Sequence, residues 1–265
     1  RLKMSVLDSI GCVLHGSTLR WSRMVQDLAV AESCAPVSSI LGTTHRTSPA
    51  NAALANGTAG HAFELDDIHK ESIIHPGSIA IPVAAALAQA RANVSGKKFL
   101  TAICAGYEIG TRVGNAATMS LFYRGFHPQG SSGVFVGAAT AGRMLGLDAS
   151  QMQHCLGIAG SQAGGLVAAQ EGAMVKRFHS GRAAQSGVYS ALLAERSVTG
   201  ITDVLVAPYG GYLSTYSEAP SPDRLLDQLG NLWETGKIGY KPHAAVTSIH
   251  SALDGLKRLM HTNAI

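Results

Sequence analysis

The chain has few charged residues and few aromatic ones. Charged residues make up 14% of its 265 amino acids, against about a quarter in typical soluble domains, and aromatic residues make up 6%. Its 21 Lys and Arg residues and 17 Asp and Glu residues give a formal net charge of +4, and the basic residues form no run. We therefore expect no nucleic-acid partner, whereas mild basicity suits small acidic ligands.

Cysteines and long apolar runs are also scarce. The four cysteines are far apart and show neither CxxC nor metal-ligand spacing, which predicts reduced thiols of a cytoplasmic protein. The longest apolar stretch, residues 79–90, contains a proline and a glutamine and is too short to span a bilayer. No signal-peptide pattern is visible, so no membrane partner is expected. Both ends fall inside helical patterns, which predicts a chain incomplete at both ends.

Glycine and helical periodicity are abundant. The chain has 30 glycines and 46% hydrophobic residues, and its apolar residues recur every three to four positions. This spacing predicts helices over 2–16, 48–65, 81–92, 98–117, 134–145, 148–162, 173–178 and 183–196. FHPQGSSG at 126–133 is predicted to be a loop. A change of composition after Gly200 and a strand-like piece after Trp233 predict a domain boundary near 230–236.

One stretch departs from this sparing use of charge. HAFELDDIHKESIIHPGS, residues 61–78, holds four acidic residues and three histidines between apolar flanks. Burying charges without partners costs several kcal/mol, so such a cluster is expected to serve a function rather than form a solvated helix end.

A metal site is one interpretation of this cluster. Asp66, Asp67, His69 and His75 are all metal-ligand types, and two histidines with one carboxylate form a known ligand set. However, the chain has no HExxH motif and no second histidine-rich motif with ligand spacing.

Acid–base catalysis without a cofactor is the other interpretation. Histidine has an ordinary pKa near 6.5, so it can accept and return a proton at neutral pH, and adjacent carboxylates can orient it. A polyacid substrate also needs cations and hydrogen-bond donors for its carboxylates. Candidates stand in apolar surroundings elsewhere in the chain: His127, Lys176, Arg177, His179, Lys237 and His243.

The same residues carry a resemblance to a known family. NGTAGHAFELDDIHKESIIHPGSIAIPVAAALA, GFHPQGSSGVFVGAATAGRMLGLD, MVKRFHSGRAAQSG and GYKPHAAVTSIHSALD resemble motifs of the MmgE/PrpD family, in family order over essentially the whole chain. The resemblance implies a mainly α fold, with a large all-helical domain over 1–235 and the beginning of a smaller α+β lid domain over 236–265. It further implies a homodimer that holds a small polycarboxylate and uses no metal or organic cofactor.

The resemblance also implies roles for individual residues. His75 matches a histidine that acts as catalytic acid or base or contacts the substrate, and it is expected to be catalytic here. Four further residues are expected to be catalytic: Asp66, Glu64, Lys176 and His127. Four are expected to bind substrate: Asp67, His69, Lys237 and His243. His61 is predicted to be structural, and Lys70 and Glu71 are predicted to face solvent.

The implied reaction is proton transfer next to a carboxylate, which ends in loss of water, loss of CO2 or inversion. We therefore predict a cofactor-independent lyase or isomerase of a small di- or tricarboxylic acid. Many dehydratases and animal decarboxylases of the family read DFDDT or DFNDT, whereas ELDDI with the following histidine resembles the fungal decarboxylase and the epimerase branches more closely. The alternatives are a metal-dependent hydrolase and a non-catalytic helical member, since Ile68 lacks the hydroxyl that many members carry there.

Overall fold

The computed structural model describes residues 1–263 and is mainly α-helical. Its helices are α1 Leu2–Gly16, α2 Arg20–Ala31, α3 Pro49–Gly60, α4 Gly77–Ala90, α5 Gly96–Tyr123, α6 Pro128–Ser131, α7 Gly133–Leu145, α8 Ala149–Gly160, α9 Val175–Glu195, α10 Tyr212–Tyr216 and α11 His250–Asn263. Short 3-10 turns lie at Val167–Glu171, Pro222–Leu225, Glu234–Lys237 and Thr247–Ile249. One small antiparallel pair joins β1 Ser38–Ser39 to β2 Arg46–Thr47.

The core is formed by helices with small side chains. Helix α7 packs on α5 and α9, and α3 packs on α9 and α4. Every residue of α3 from Ala50 to Gly60 is buried. Glycine permits the closest crossing: a Cβ atom at Gly187 of α9 would meet the backbone of Gly137 in α7. Glycine thus permits the helices to pack closely, and the predicted mainly α fold is confirmed.

The junction between α7 and α8 is fixed by local signals. Gly146 ends α7 in the left-handed conformation, with φ of 80°, which glycine adopts without a Cβ clash. Asp148 then caps α8: its side chain accepts from the backbone N–H of Gln151, whose side chain accepts from the backbone N–H of Asp148.

Several predicted boundaries are wrong. The helix predicted over 48–65 ends at Gly60, and the one predicted over 81–92 begins at Gly77, which puts Pro82 inside it. The two runs at 173–178 and 183–196 form the single helix α9, in which the polar residues Ser180 and Gln185 are buried. The loop predicted at 126–133 contains α6. The β1–β2 pair carried no periodic signal because each strand has two residues.

One segment of the C-terminal part of the chain packs against the loop of residues 61–76. Ile68 and Gly239 form an antiparallel bridge, with both N–H···O distances at 2.9 Å, so the segment before Lys241 lies along the 61–76 loop. Helix α11 has no buried residue. The predicted boundary between two domains, at residues 235 and 236, stays a prediction. Across residues 1–263 we find no helix with the length and apolarity needed to cross a membrane.

Candidate active site

Most of the acidic residues and histidines singled out from the sequence lie on one loop, residues 61–76, which joins α3 to α4. Glu64 and Ile73 adopt positive φ angles of 62° and 55°, which are uncommon for residues with side chains. The loop is held by the N–H of His69, which donates to the carbonyl of Ile74 at 2.9 Å, and by Arg177, which donates to the carbonyl of His61 at 3.1 Å. These contacts hold the loop in a non-helical conformation in which Asp66, Asp67 and His69 are buried.

Asp66 lies at the centre of the loop and is 1% exposed. Its Oδ2 accepts a hydrogen bond from Nδ1 of His61 at 2.8 Å, and its Oδ1 lies 3.4 Å from Nδ1 of His75. Burial alone would raise the pKa of Asp66, but His75, His61 and Lys241 together hold it well below its ordinary range. An ionised carboxylate therefore sits between two imidazoles and orients both.

Three further contacts extend this pair into a histidine cluster. The rings of His61 and His75 are 4.9 Å apart, and His127 lies 6.1 Å from His61, measured between centroids. Nδ1 of His127 lies 2.8 Å from Nδ1 of His179, so one of these nitrogens carries the shared proton. Burial lowers the pKa of His75 to about 4, against the pull of Asp66, and lowers that of His127 to about 2. The imidazoles of His75 and His127 are therefore neutral at pH 7 before a substrate arrives.

Cations surround Glu64 at the edge of the cluster. Its Oε1 accepts hydrogen bonds from Lys176 and, at 2.7 Å, from Arg177, both on the first turn of α9. Lys241 donates to the carbonyl of Glu64 at 2.9 Å and lies 3.5 Å from its Oε2. Burial would raise the pKa of Glu64, yet His61, Lys176 and Arg177 hold it well below its ordinary range. Three cationic heads thus converge on one carboxylate.

Asp67 faces away from this cluster. Its Oδ1 accepts from the backbone N–H of Gly77 at 2.9 Å and its Oδ2 accepts from the Tyr107 hydroxyl at 2.6 Å. The side chain is fully buried, and desolvation raises its pKa to about 7, although the bonds from Tyr107 and Gly77 oppose this. Asp67 therefore holds the start of α4 rather than pointing into the cluster.

Three predicted substrate-binding residues are likewise not brought to the histidines. His69 bonds through Nε2 to Glu234 at 2.9 Å and through Nδ1 to Ser72 at 2.9 Å. Lys237 donates to Glu234 at 3.1 Å. His243 contacts Asp254 of α11 at 2.7 Å. The predicted solvent exposure of Lys70 and Glu71 is confirmed.

Lys241, rather than the predicted Lys237, lies beside the histidine cluster. The bridge at Gly239 fixes the strand-like segment so that Lys241 points inward and is 8% exposed. The sequence held a signal for Lys241, because this lysine directly precedes the Pro-His pair in GYKPH. His61, predicted to be structural, is 1% exposed and lies inside the cluster.

A metal ion has one possible ligand set among the described residues. Ligand atoms of His61, Asp66 and His75 lie within 4.8 Å of one another. The set predicted for a hydrolase is not assembled, because Asp67 and His69 are bonded elsewhere. The Lys241 ammonium lies 4.0 Å from Oδ1 of Asp66 and disfavours a second cation there.

Comparison with known proteins defines the class. The MmgE/PrpD N-terminal domain family matches residues 1–224, and this chain belongs to that family. Over 98% of its length it is 35% identical to the cis-aconitate decarboxylase-like protein oryM of Aspergillus oryzae and 33% identical to cis-aconitate decarboxylase of Aspergillus terreus. It is 29% identical to human cis-aconitate decarboxylase over 96% of its length. The chain covers 56%, 55% and 53% of these three relatives, about half of each.

Proposed function

We propose that this chain carries the acid–base and carboxylate-binding part of a cofactor-independent lyase. Its substrate is a small tricarboxylic acid, and the reaction that the relatives favour is loss of CO2 from cis-aconitate. The resemblance of ELDDI to the decarboxylase branch supports the same choice over dehydration.

The observation that carries the proposal is the junction of cations with the histidine cluster. Lys176, Arg177 and Lys241 face the single carboxylate of Glu64, directly beside the Asp66–His75 pair. Charged donors in a partly buried site bind carboxylates with short, strong hydrogen bonds. A polycarboxylate that binds these cations beside Glu64, or in its place, puts its own negative charges close to His75.

That placement gives His75 its proton-transfer role. Negative charge close to an imidazole favours the protonated form, so a bound polycarboxylate raises the pKa of His75 from its depressed value near 4. The imidazolium can then protonate the carbon that receives the electron pair of the breaking C–COO⁻ bond. One carboxylate leaves as CO2, and one proton enters the product. Asp66 stabilises the imidazolium through the 3.4 Å contact.

The test is proton NMR in D2O on the full-length protein with cis-aconitate, 2-methylcitrate and iminodisuccinate offered separately. We expect cis-aconitate to be consumed, CO2 to be released and one deuterium to enter the product. Water loss from 2-methylcitrate would show that the reaction is dehydration rather than decarboxylation. Deuterium exchange in iminodisuccinate without a change of its carbon skeleton would show that it is epimerisation. No turnover of any of the three would contradict the proposal and favour a non-catalytic member.

Two variants test the residues. His75→Ala should lower kcat at least about 100-fold, as removal of an acid–base group does. Lys176→Met should raise KM, whereas Lys97→Met, an exposed lysine on α5, should leave both constants unchanged. Full activity of the His75→Ala protein would show that this histidine is not the proton carrier.

A further inference from the structure

His61 shares the carboxylate of Asp66 with His75, and its hydrogen bond fixes the position of its proton. Oδ2 of the ionised Asp66 can only accept, so Nδ1 of His61 donates across the 2.8 Å contact. In the neutral imidazole the second nitrogen, Nε2, then carries the free lone pair. This is the arrangement in which a carboxylate orients a histidine for proton transfer at its far nitrogen.

That far nitrogen has no partner within residues 1–263. Nε2 of His61 is buried and makes no hydrogen bond, and the same holds for Oδ1 of Asp66 and Nδ1 of His75. A buried acceptor without a donor is unfavourable, and protein cores seldom keep one. Oδ1 of Asp66 and Nδ1 of His75 lie 3.4 Å from each other, so Nε2 of His61 is the atom of the three that needs a partner from a bound molecule.

The position of the ring agrees with this reading. The ring of His61 lies 4.9 Å from that of His75 and 6.1 Å from that of His127, so it is a neighbour of both. The charged and titratable groups near His61 are Glu64, Asp66, His75, His127 and His179, and Arg177 donates to its backbone carbonyl. Lys176 of α9 bonds the carboxylate of Glu64. A substrate held by the cations of α9 would lie against this ring.

We propose that His61 is a second proton carrier of the reaction, with Nε2 facing the substrate and Nδ1 held by Asp66. The inference rests on the proposed lyase function. Two imidazoles on one carboxylate do not both hold an extra proton readily, because like charges repel at this distance. One therefore acts as acid while the other acts as base.

The proton balance is simple in each reaction type. In loss of water, the base takes the proton of the C–H bond, whose electron pair forms the alkene, and the acid protonates the hydroxyl that leaves with its own electron pair. In loss of CO2, the protonated imidazole gives one proton to the carbon that receives the C–C electron pair, and solvent restores it. Loss of water therefore uses one imidazole as base and the other as acid, whereas in loss of CO2 one imidazole protonates the carbon and the other passes on the solvent proton that restores it.

Substitution by asparagine separates the proposed role from a structural one. In His61→Asn the amide N–H replaces Nδ1–H toward Asp66, but no nitrogen remains at the position of Nε2. We expect kcat of the full-length protein to fall about 100- to 10,000-fold, with KM and far-UV circular dichroism unchanged. The pH profile of kcat should also lose one ionisation. His154→Asn is the matched control, since His154 of α8 bonds through Nδ1 to the carbonyl of Gly200, and it should keep wild-type kcat.

The outcomes are distinguishable. A wild-type protein inactive on every polycarboxylate refutes the proposed function itself. An active wild type with an equally active His61→Asn variant refutes only the inference, because a positioning role is rescued by asparagine. If the variant does not fold, 15N NMR of histidine-labelled wild type decides. A protonated Nδ1 and a bare Nε2 that shifts when cis-aconitate is added support the inference, and a protonated Nε2 that ignores the ligand overturns it.

Discussion

Replacing Asp67 by asparagine should make the protein more stable at high pH than at low pH, relative to wild type. Asp67 is fully buried, and its two oxygens accept from the Gly77 N–H and the Tyr107 hydroxyl. Asparagine has the same shape: its Oδ1 can accept from Gly77, and its amide can donate to the Tyr107 oxygen. The substitution therefore removes a buried ionisable group and leaves the packing in place.

The magnitude follows from the shift in pKa. Desolvation raises the pKa of Asp67 from 3.8 to about 7 in the folded state. Between these values the folded protein binds a proton that the unfolded chain has lost, so the free energy of unfolding falls as pH rises through this window. Each pKa unit corresponds to about 1.4 kcal/mol, which gives an upper limit of about 4 kcal/mol at pH 7 and above. Below pH 3.8 the group contributes nothing.

Urea unfolding followed by circular dichroism at pH 5, 6, 7 and 8 measures the effect. The advantage of Asp67→Asn over wild type should grow by about 3 kcal/mol between pH 5 and pH 8. Asp148→Asn, an exposed helix cap that asparagine also forms, is the control and should show no such trend. A difference between Asp67→Asn and wild type that is constant across pH would refute the reasoning, because it would mean that the folded protein ionises Asp67 normally.

Three other substitutions test the packing and the cations. Glu108 accepts from the backbone N–H groups of Glu234 and Thr235 at 3.0 and 2.8 Å, so Glu108→Ala should destabilise the protein by about 2–4 kcal/mol in urea unfolding; unchanged stability would contradict a role in holding this segment. Gly187→Ala forces a methyl group into α7 and should lower stability by about 1–3 kcal/mol, whereas Gly11→Ala, with open space around it, should be neutral or stabilising. Equal thermal shifts for the two glycine variants would argue against the close crossing. Lys241→Met should raise KM for cis-aconitate about tenfold or more with the fold intact, and an unchanged KM would remove Lys241 from the binding site.

The helices were predictable where local chemistry decides them. Gly146 and Asp148 mark a helix end and a helix start by their own conformational and hydrogen-bonding preferences. The boundary after Gly60 was not predictable in the same way. Ala-rich periodicity continues past it, and the turn that follows depends on Arg177, more than one hundred residues away, which bonds the carbonyl of His61.

The candidate site was likewise predictable from the sequence only in part. The sequence alone marked residues 61–78 as the chemical centre, because charge is scarce elsewhere and the flanks are apolar. It placed both Asp66 and Asp67 at the substrate, one as a catalytic and one as a binding residue, because two adjacent aspartates carry no local signal of which way each side chain points. In the folded loop Asp66 faces His61 and His75, whereas Asp67 faces Tyr107. The pKa of Asp66 is therefore lowered and that of Asp67 is raised.

What the sequence by itself determined is the mainly α fold, the family and the stretch that carries the charges, because these depend on composition, periodicity and motifs along the chain. Only the tertiary structure decided which side chains meet. Lys241 reaches Glu64 through the Ile68–Gly239 bridge, and His61 enters the cluster because α3 ends one residue before it. Spacing along a chain fixes local geometry, but the meeting of distant groups depends on how helices and loops pack against one another.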